Sequence, residues 1–340
     1  MTKEITIYDI AKKLKLSPAT ISRALKDNKN VNKITKKRIQ DKAKELGYRH
    51  NSFASNLRKQ KTHTIGVMVH ELNSSFIASV LSGIETVTTQ AGYDIIIAYS
   101  GESSVKENAN ALNLFHKRVD GLIASLSFDT ANLNHFMPFI KKGIPVILFD
   151  RVEDLNHTTK VIIDNYKAGY KATRHLIDQG CKKIVMMTSN LKRNVYGDRN
   201  KGYSDALFDN NIHFESDWLI INKLSEQAAI DSAHLIMKMN PMPDGVFCTS
   251  DFMAAVCIRT LKEQGIKIPD DIAFVGFNND VISKIVEPNL TTINYPGINM
   301  GEVAAKNLID KLNGVSERMS TDSIVIESEL IIRQSSLRKK

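Results

Sequence analysis

The heptad Ser17-Pro18-Ala19-Thr20-Ile21-Ser22-Arg23 sets hydroxyls, two small apolar side chains and a guanidinium within about two helical turns. An arginine so placed can donate two parallel hydrogen bonds to O6 and N7 of guanine, while small neighbours let the backbone approach base edges. Hydroxyls suit phosphate oxygens, which position a protein on a duplex without reading it. The chemistry on offer is recognition of double-stranded DNA, with Pro18, Ala19 and Arg23 toward base edges and Thr20 and Ser22 toward phosphate. A small helical bundle with a solvated basic face would use the same residue types, so both readings stand on this stretch alone.

The elements around it decide how these groups are presented. Thr6 and Asp9 have the spacing of a capping box, and Ile7, Ile10, Ala11 and Leu14 recur at helical spacing after them. After a tight Lys15-Leu16 link, Ser17 suits an N-cap and Pro18 a first helical turn. Ile21, Ala24 and Leu25 form that helix's apolar side. A third helix starts near Asn32, buries Ile39, Ala43 and Leu46, and stops at Gly47, suited to a left-handed C-cap. Three short helices with a tight first turn make a helix-turn-helix unit over residues 1 to 48. Thr6, Ser17 and Asn32, at the three helix starts, complete its candidate DNA-contact set. The following Asn51-Ser52-Phe53-Ala54-Ser55-Asn56-Leu57 is long enough for little more than two helical turns, too few to be stable alone in water. Asn51 and Ala54 join the candidate DNA contacts there. Leu57 has two readings: a wedge at a minor-groove base step, or a linker residue packed on the next domain.

Charge distribution separates this unit from the rest. Of 46 Lys and Arg and 37 Asp and Glu, residues 1 to 61 hold 17 and 5, a net of +12, leaving −3 for the remainder. Concentrated positive charge on a short helical segment is the footprint of a nucleic-acid binder, because neutralising phosphates releases counterions. No apolar run approaches the roughly 20 residues of a membrane span, and no export signal is read at the N-terminus. Cys181, Cys248 and Cys257 lack metal-ligand or C-x-x-C spacing and suit reduced thiols, so the cytoplasm is the expected compartment. No nucleophile elbow, phosphate-binding loop, dinucleotide fingerprint or zinc-protease motif occurs. His70-Glu71 reads as a solvated pair at a strand end. The expectation is no catalytic residue, no metal and no cofactor.

Beyond Lys61 short apolar runs alternate with helical stretches. Ile65–Val69, Asp94–Tyr99, Gly121–Ala124 and Val146–Phe149 form one series, and Lys183–Met187, Gly245–Cys248 and Ile272–Phe277 a second. Continuous apolar runs bounded by Gly and Pro are those of strands buried on both faces, so two parallel α/β sheets are expected. Asp120-Gly121-Leu122-Ile123 and Asp244-Gly245-Val246-Phe247 form a weak repeat. Two such lobes imply a cleft, and ligands in open α/β sheets bind beyond the carboxyl ends of strands. Candidate ligand contacts are Asn73, Ser75, Phe76, Ser125 and Asp150 in the first lobe. Arg193, Arg199, Ser250, Asp251 and Asn278 are those of the second. Polar groups beside an aromatic face can orient a small polyol such as a sugar, and arginine adds capacity for carboxylate or phosphate.

The run TIYDIAKKLKLSPATISRAL, the later Gly47-Tyr48, and NSFASNL ahead of an Ile65-Gly66-Val67 strand together resemble the headpiece and hinge of the lac/gal repressor family of bacterial transcription factors. The resemblance implies base-reading roles for Pro18, Ala19 and Arg23, phosphate contacts for Thr20 and Ser22, and a hinge wedge at Leu57. Many members have proline before the hinge asparagine, where this chain has His50. The resemblance also implies a two-lobed core similar to periplasmic sugar-binding proteins, with crossings near Ile163, Thr292 and Ser323. The implied organisation is headpiece 1–48, hinge helix and linker 49–61, and effector-binding and dimerisation core 62–340. Its first lobe covers about 62–162 and 293–322, its second about 163–291 and 323–340. Arg199-Asn200-Lys201-Gly202-Tyr203 matches the family's ligand-arginine pattern. Asn278 stands where the family usually places an aspartate.

The expectation is a ligand-controlled transcriptional regulator, a repressor acting as a homodimer on a pseudo-palindromic DNA operator, with a carbohydrate effector. Control by a protein co-regulator is the alternative, and a solute-binding protein a more distant one.

Overall fold

The computed structural model describes residues 5–48 and 61–338, and the chain divides into a unit ending at Thr62 and a unit starting at His63. In the first unit, α1 (Ile7–Leu14), α2 (Pro18–Leu25) and α3 (Lys33–Glu45) enclose a small core of Ile10, Ala11, Leu14, Ile21, Ala24, Ile39 and Ala43. The caps are those the side chains call for. Thr6 N donates to Asp9 Oδ2 at 2.8 Å while Asp9 N donates to Thr6 Oγ1, closing a reciprocal box. Ser17 Oγ accepts from Thr20 N at 3.1 Å, and Asn32 Oδ1 from Ile34 N at 2.8 Å. Gly47 adopts φ +67°, the left-handed geometry expected after α3. His50, Asn51, Ala54 and Leu57 lie outside the described residues.

The second unit contains two six-stranded sheets. The first runs in the order β11-β5-β4-β3-β1-β2, built from β1 (Thr64–Val69), β2 (Asp94–Tyr99), β3 (Gly121–Ala124), β4 (Val146–Phe149), β5 (Thr158–Ile163) and β11 (Asp322–Ile326). The second runs β12-β10-β9-β8-β6-β7, with β6 (Ile184–Thr188), β7 (Leu219–Ile221), β8 (Gly245–Cys248), β9 (Ala273–Asn278), β10 (Thr291–Asn294) and β12 (Leu330–Ile331). All pairings are parallel except β10 with β12, so the expectation of wholly parallel sheets needs that one amendment. Strands β1, β3, β4, β6, β8 and β9 are buried almost throughout, because helices cover both faces of a parallel sheet. The Asp-Gly repeat has a structural role: Asp120 accepts from the amide of His63 and Asp244 from that of Lys183, each just ahead of its sheet's first strand.

The chain crosses between lobes three times. The first crossing follows β5, where Ile163 leads through Asp164 into α7 (Asn165–Asp178). The second was expected near Thr292, but that residue lies within β10 of the second sheet. The crossing comes at Tyr295-Pro296, ahead of α12 (Gly297–Asn313), which packs on α4 (Ser75–Gln90) of the first lobe. The third was expected near Ser323, which instead lies inside β11, paired with Lys160, so the crossing follows Ile326. A short exposed strand such as DSIVI carries no buried-strand signature, and only its pairing with β5 reveals its lobe.

Each lobe holds one pair of helices at glycine distance. A Cβ on Gly83 of α4 would lie 2.1 Å from the Ile298 carbonyl oxygen, and one on Gly301 of α12 at 2.1 Å from that of Val80. In the second lobe α7 and α8 (Asn194–Asp209) repeat this contact: Gly169 meets the Arg199 carbonyl oxygen at 2.3 Å and Gly202 that of Tyr166 at 2.1 Å. Glycine is required at these four positions because backbone fills the space a side chain would occupy.

Candidate functional site

In the first unit, α2 turns Ile21 and Ala24 into the core and leaves Ala19 and Arg23 exposed, with Pro18, Thr20 and Ser22 half-buried. One face of a two-turn helix therefore presents the small side chains and the guanidinium together, as the 3.6-residue period dictates. Thr20 Oγ1 lies 2.9 Å from Ser17 Oγ, so its hydroxyl is already oriented by the cap. Tyr8 and Ile34 are 66% and 80% exposed. Both went unnoticed in the sequence because each could have belonged to an apolar helix face.

In the second unit a cavity of about 230 Å³ opens between the lobes. Seven candidate ligand contacts line it: Asn73, Ser75, Phe76, Asp150, Arg199, Ser250 and Asn278. Asn73, Asp150 and Ser250 follow β1, β4 and β8, Asn278 ends β9, Ser75 and Phe76 open α4, and α8 delivers Arg199. The other three candidates do not line it, and each is buried on a protein partner. Ser125 Oγ lies 2.9 Å from His70 Nδ1 and donates to Asp150. Arg193 Nη2 donates to the Thr130 carbonyl at 2.7 Å and to Glu153 at 2.8 Å. Asp251 accepts from Thr292 Oγ1 at 2.7 Å and from the Asp280 amide at 2.8 Å. Gly276 leaves the room this requires, since a Cβ there would meet Asp251 Oδ1 at 2.1 Å.

Residues not foreseen complete the cavity, chiefly Arg151, Tyr196, Asp280 and Tyr295. Tyr196 lies three residues before Arg199, a helical-face relation the sequence could have disclosed. Tyr295 belongs to the second crossing and had no such signal. Arg151 Nη1 donates to both carboxylate oxygens of Glu102, at 2.7 and 2.9 Å, with its guanidinium 3.9 Å above the Phe128 ring. The Arg199 guanidinium lies 3.5 Å from the Phe277 ring centre, and its Nε donates to Asn165 Oδ1 at 2.8 Å. Phe76 and Tyr295 stack at 4.1 Å, and the Tyr295 hydroxyl donates to Asp150 Oδ1 at 2.6 Å.

Burial governs the titration of these groups. It raises the Asp150 carboxyl, although Arg151 and the Tyr295 hydroxyl pull the other way. Burial, then the Arg151 charge, hold His70 well below the usual histidine range, so it is a neutral imidazole. His70 was expected to be solvated; it is buried because β1 carries it inward against Ser125. With Ser125 donating to Asp150, the neutral ring fits as the Nδ1–H donor. Among the described residues, His70, Glu71 and Glu102 hold ligand atoms within 4.8 Å of one another. The Arg151 guanidinium, bonded to Glu102, already supplies positive charge there.

The lobes also touch directly around the cavity. Asn194 Nδ2 donates to the Asp150 carbonyl and its Oδ1 accepts from the Val152 amide, both at 3.0 Å. Asn190 Nδ2 donates to the Phe128 carbonyl. Arg193 extends this seam to Thr130 and Glu153, as described above.

Residues 6–51 match the profile of the bacterial regulatory proteins of the lacI family, and residues 173–336 that of the periplasmic binding protein-like domain. The HTH-type transcriptional regulator RegA of Clostridium saccharobutylicum is 32% identical over 336 residues, covering 98% of this chain and 99% of that protein. Catabolite control protein A of Priestia megaterium is 30% identical, covering 97% and 99%. The chain belongs to the lacI family. As a member it is a DNA-binding transcriptional regulator, with a helix-turn-helix unit joined to a two-lobed core. Its fold is similar to that of the lac repressor dimer bound to operator and the anti-inducer ONPF, with TM-score 0.87, 22% identity and coverage of 98% and 100%. It is also similar to the transcriptional regulator CelR–cellobiose complex, with TM-score 0.74, 24% identity and coverage of 98% and 100%. Among the described residues no helix is long and apolar enough to cross a membrane.

Proposed function

We propose that this lacI-family regulator is a repressor that acts in the cytoplasm as a homodimer on a pseudo-palindromic operator, and that a small hydroxyl-rich effector, a carbohydrate or derivative, binds between its lobes. The observation that carries the effector is the cavity itself. A concave, partly open space of about 230 Å³ suits a small molecule, whereas a protein co-regulator would need a broad outer surface. Its charges are largely engaged within the protein, Arg151 with Glu102 and Asp150 with Tyr295. Amide, hydroxyl and carboxyl edges remain beside aromatic rings, the combination that suits a polyol. The amide of Asn278 both donates and accepts, which widens the range of hydroxyl orientations the strand end can meet.

Pairing of two copies follows from the headpiece, since one short reading helix contacts few base pairs. Ile97 and Tyr99 on edge strand β2 are 46% and 45% exposed, and Val281 and Ile285 are 66% and 68% exposed. A second copy covering these apolar faces accounts for them. Ligand binding would favour one arrangement of the lobes and so one spacing of the headpieces.

Two experiments test this reading. DNA affinity of the full chain should fall steeply with salt, in proportion to the phosphates neutralised; a flat response would remove the DNA-contact assignment. Neutral mono- and disaccharides, with sugar phosphates in parallel, should include one that raises the melting temperature. Stabilisation by none of them would refute a carbohydrate effector.

A further inference from the structure

The side chain that follows the first interlobe crossing is tied to the arginine of the cavity. Asn165, only 3% exposed, opens α7 one residue after Asp164. Its Oδ1 accepts from Arg199 Nε at 2.8 Å, and its Nδ2 reaches the carbonyl of Ile163, the last residue of β5, at 3.5 Å. One amide therefore touches the end of the first lobe's sheet and a cavity guanidinium of the second lobe. The backbones reinforce the link, since Gly169, one turn along α7, packs against the Arg199 carbonyl closely enough to exclude any side chain. Arg199 is confined on its other side by the Phe277 ring. A displacement of its guanidinium is thereby directed toward Asn165 and the crossing.

We infer that Asn165 is a positioning residue that couples Arg199 to the first interlobe crossing, so that a change at the cavity arginine is transmitted to the hinge segment Ile163–Asn165. The inference rests on the proposed function for its use, because an effector at Arg199 is what would exploit the coupling. The coupling itself is a property of the ligand-free protein. An amide suits this task because it accepts and donates at once, which a carboxylate cannot do. Asn165→Asp should keep the bond from Arg199 and lose the donation to Ile163.

The test is hydrogen exchange on the full chain without ligand or DNA, read at the amides of Lys167 and Ala168. These bond to the side chain and the carbonyl of Asp164 in the crossing, so their exchange reports its opening. Asn165→Ala and Arg199→Lys should each speed exchange there roughly tenfold, the loss expected for one charge-assisted hydrogen bond. The double variant should exchange no faster than the faster single one, and Asn165→Asp should remain sensitive to Arg199→Lys. Unchanged exchange in Arg199→Lys, or additive effects in the double variant, would overturn the coupling. Either result concerns the coupling alone, whereas failure of the saccharide screen would overturn the effector reading and leave the exchange result intact. Circular dichroism of each variant separates local opening from misfolding.

Discussion

Tyr295 donates its hydroxyl to Oδ1 of Asp150 at 2.6 Å, joining the second interlobe crossing to the end of β4. Both residues are buried, and burial raises both the carboxyl and the phenol; Ser125 also donates to Asp150, from the other side of the carboxyl. Tyr295→Phe should cost about 1.5–3 kcal/mol of unfolding free energy, the range for a hydrogen bond to a charged group. Urea titration reads the loss. A variant within a few tenths of wild type would mean that water replaces the phenol at no cost.

Asp251 sets a pH dependence of the opposite sign to that of a surface ion pair. Burial, then the nearby Asp280, push its carboxyl up to about 8 from an ordinary 3.8. Between those values the folded chain holds a proton that the unfolded chain has released. Stability therefore falls as pH rises through this interval, by up to about 1.4 kcal/mol per unit, and levels off above it. Asp251→Asn should flatten that part of the profile while losing one bond at low pH, since its single oxygen cannot serve both Thr292 and Asp280. An unaltered slope would assign the dependence to other groups.

The glycine contacts predict large effects from small substitutions. Gly202→Ala would set a methyl 2.1 Å from the Tyr166 carbonyl oxygen, and Gly301→Ala would do the same against Val80. The helices must part in each case, at about 1–3 kcal/mol or more. Thermal denaturation checks both, and a loss below half a kcal/mol would show that the helix pairs yield freely.

At the reading helix, Arg23→Ala should relax preference at one base pair by about 1–3 kcal/mol, whereas Ser17→Ala should weaken all sequences alike through loss of the cap. Binding measured against operators varied one base pair at a time separates the two. A uniform loss for Arg23→Ala would move it from base contact to phosphate contact.

The headpiece was legible in its residues because its determinants are local. Thr6, Ser17 and Asn32 cap helices within three residues of themselves, and a 3.6-residue period sorts buried Ile21 from exposed Arg23 without reference to anything distant. The buried strands were legible for the same reason. Strands β5, β10 and β11 were not, because Thr-rich or exposed segments acquire strand character only through neighbours distant in sequence. Cavity membership was decided by tertiary contact as well. Ser125, Arg193 and Asp251 have the chemistry of ligand contacts, yet each is turned to a protein partner whose sequence separation no local rule spans. Tyr295 and Arg151 enter the wall because folding brings a crossing and a strand end together, at distances that pair buried charge before any ligand arrives.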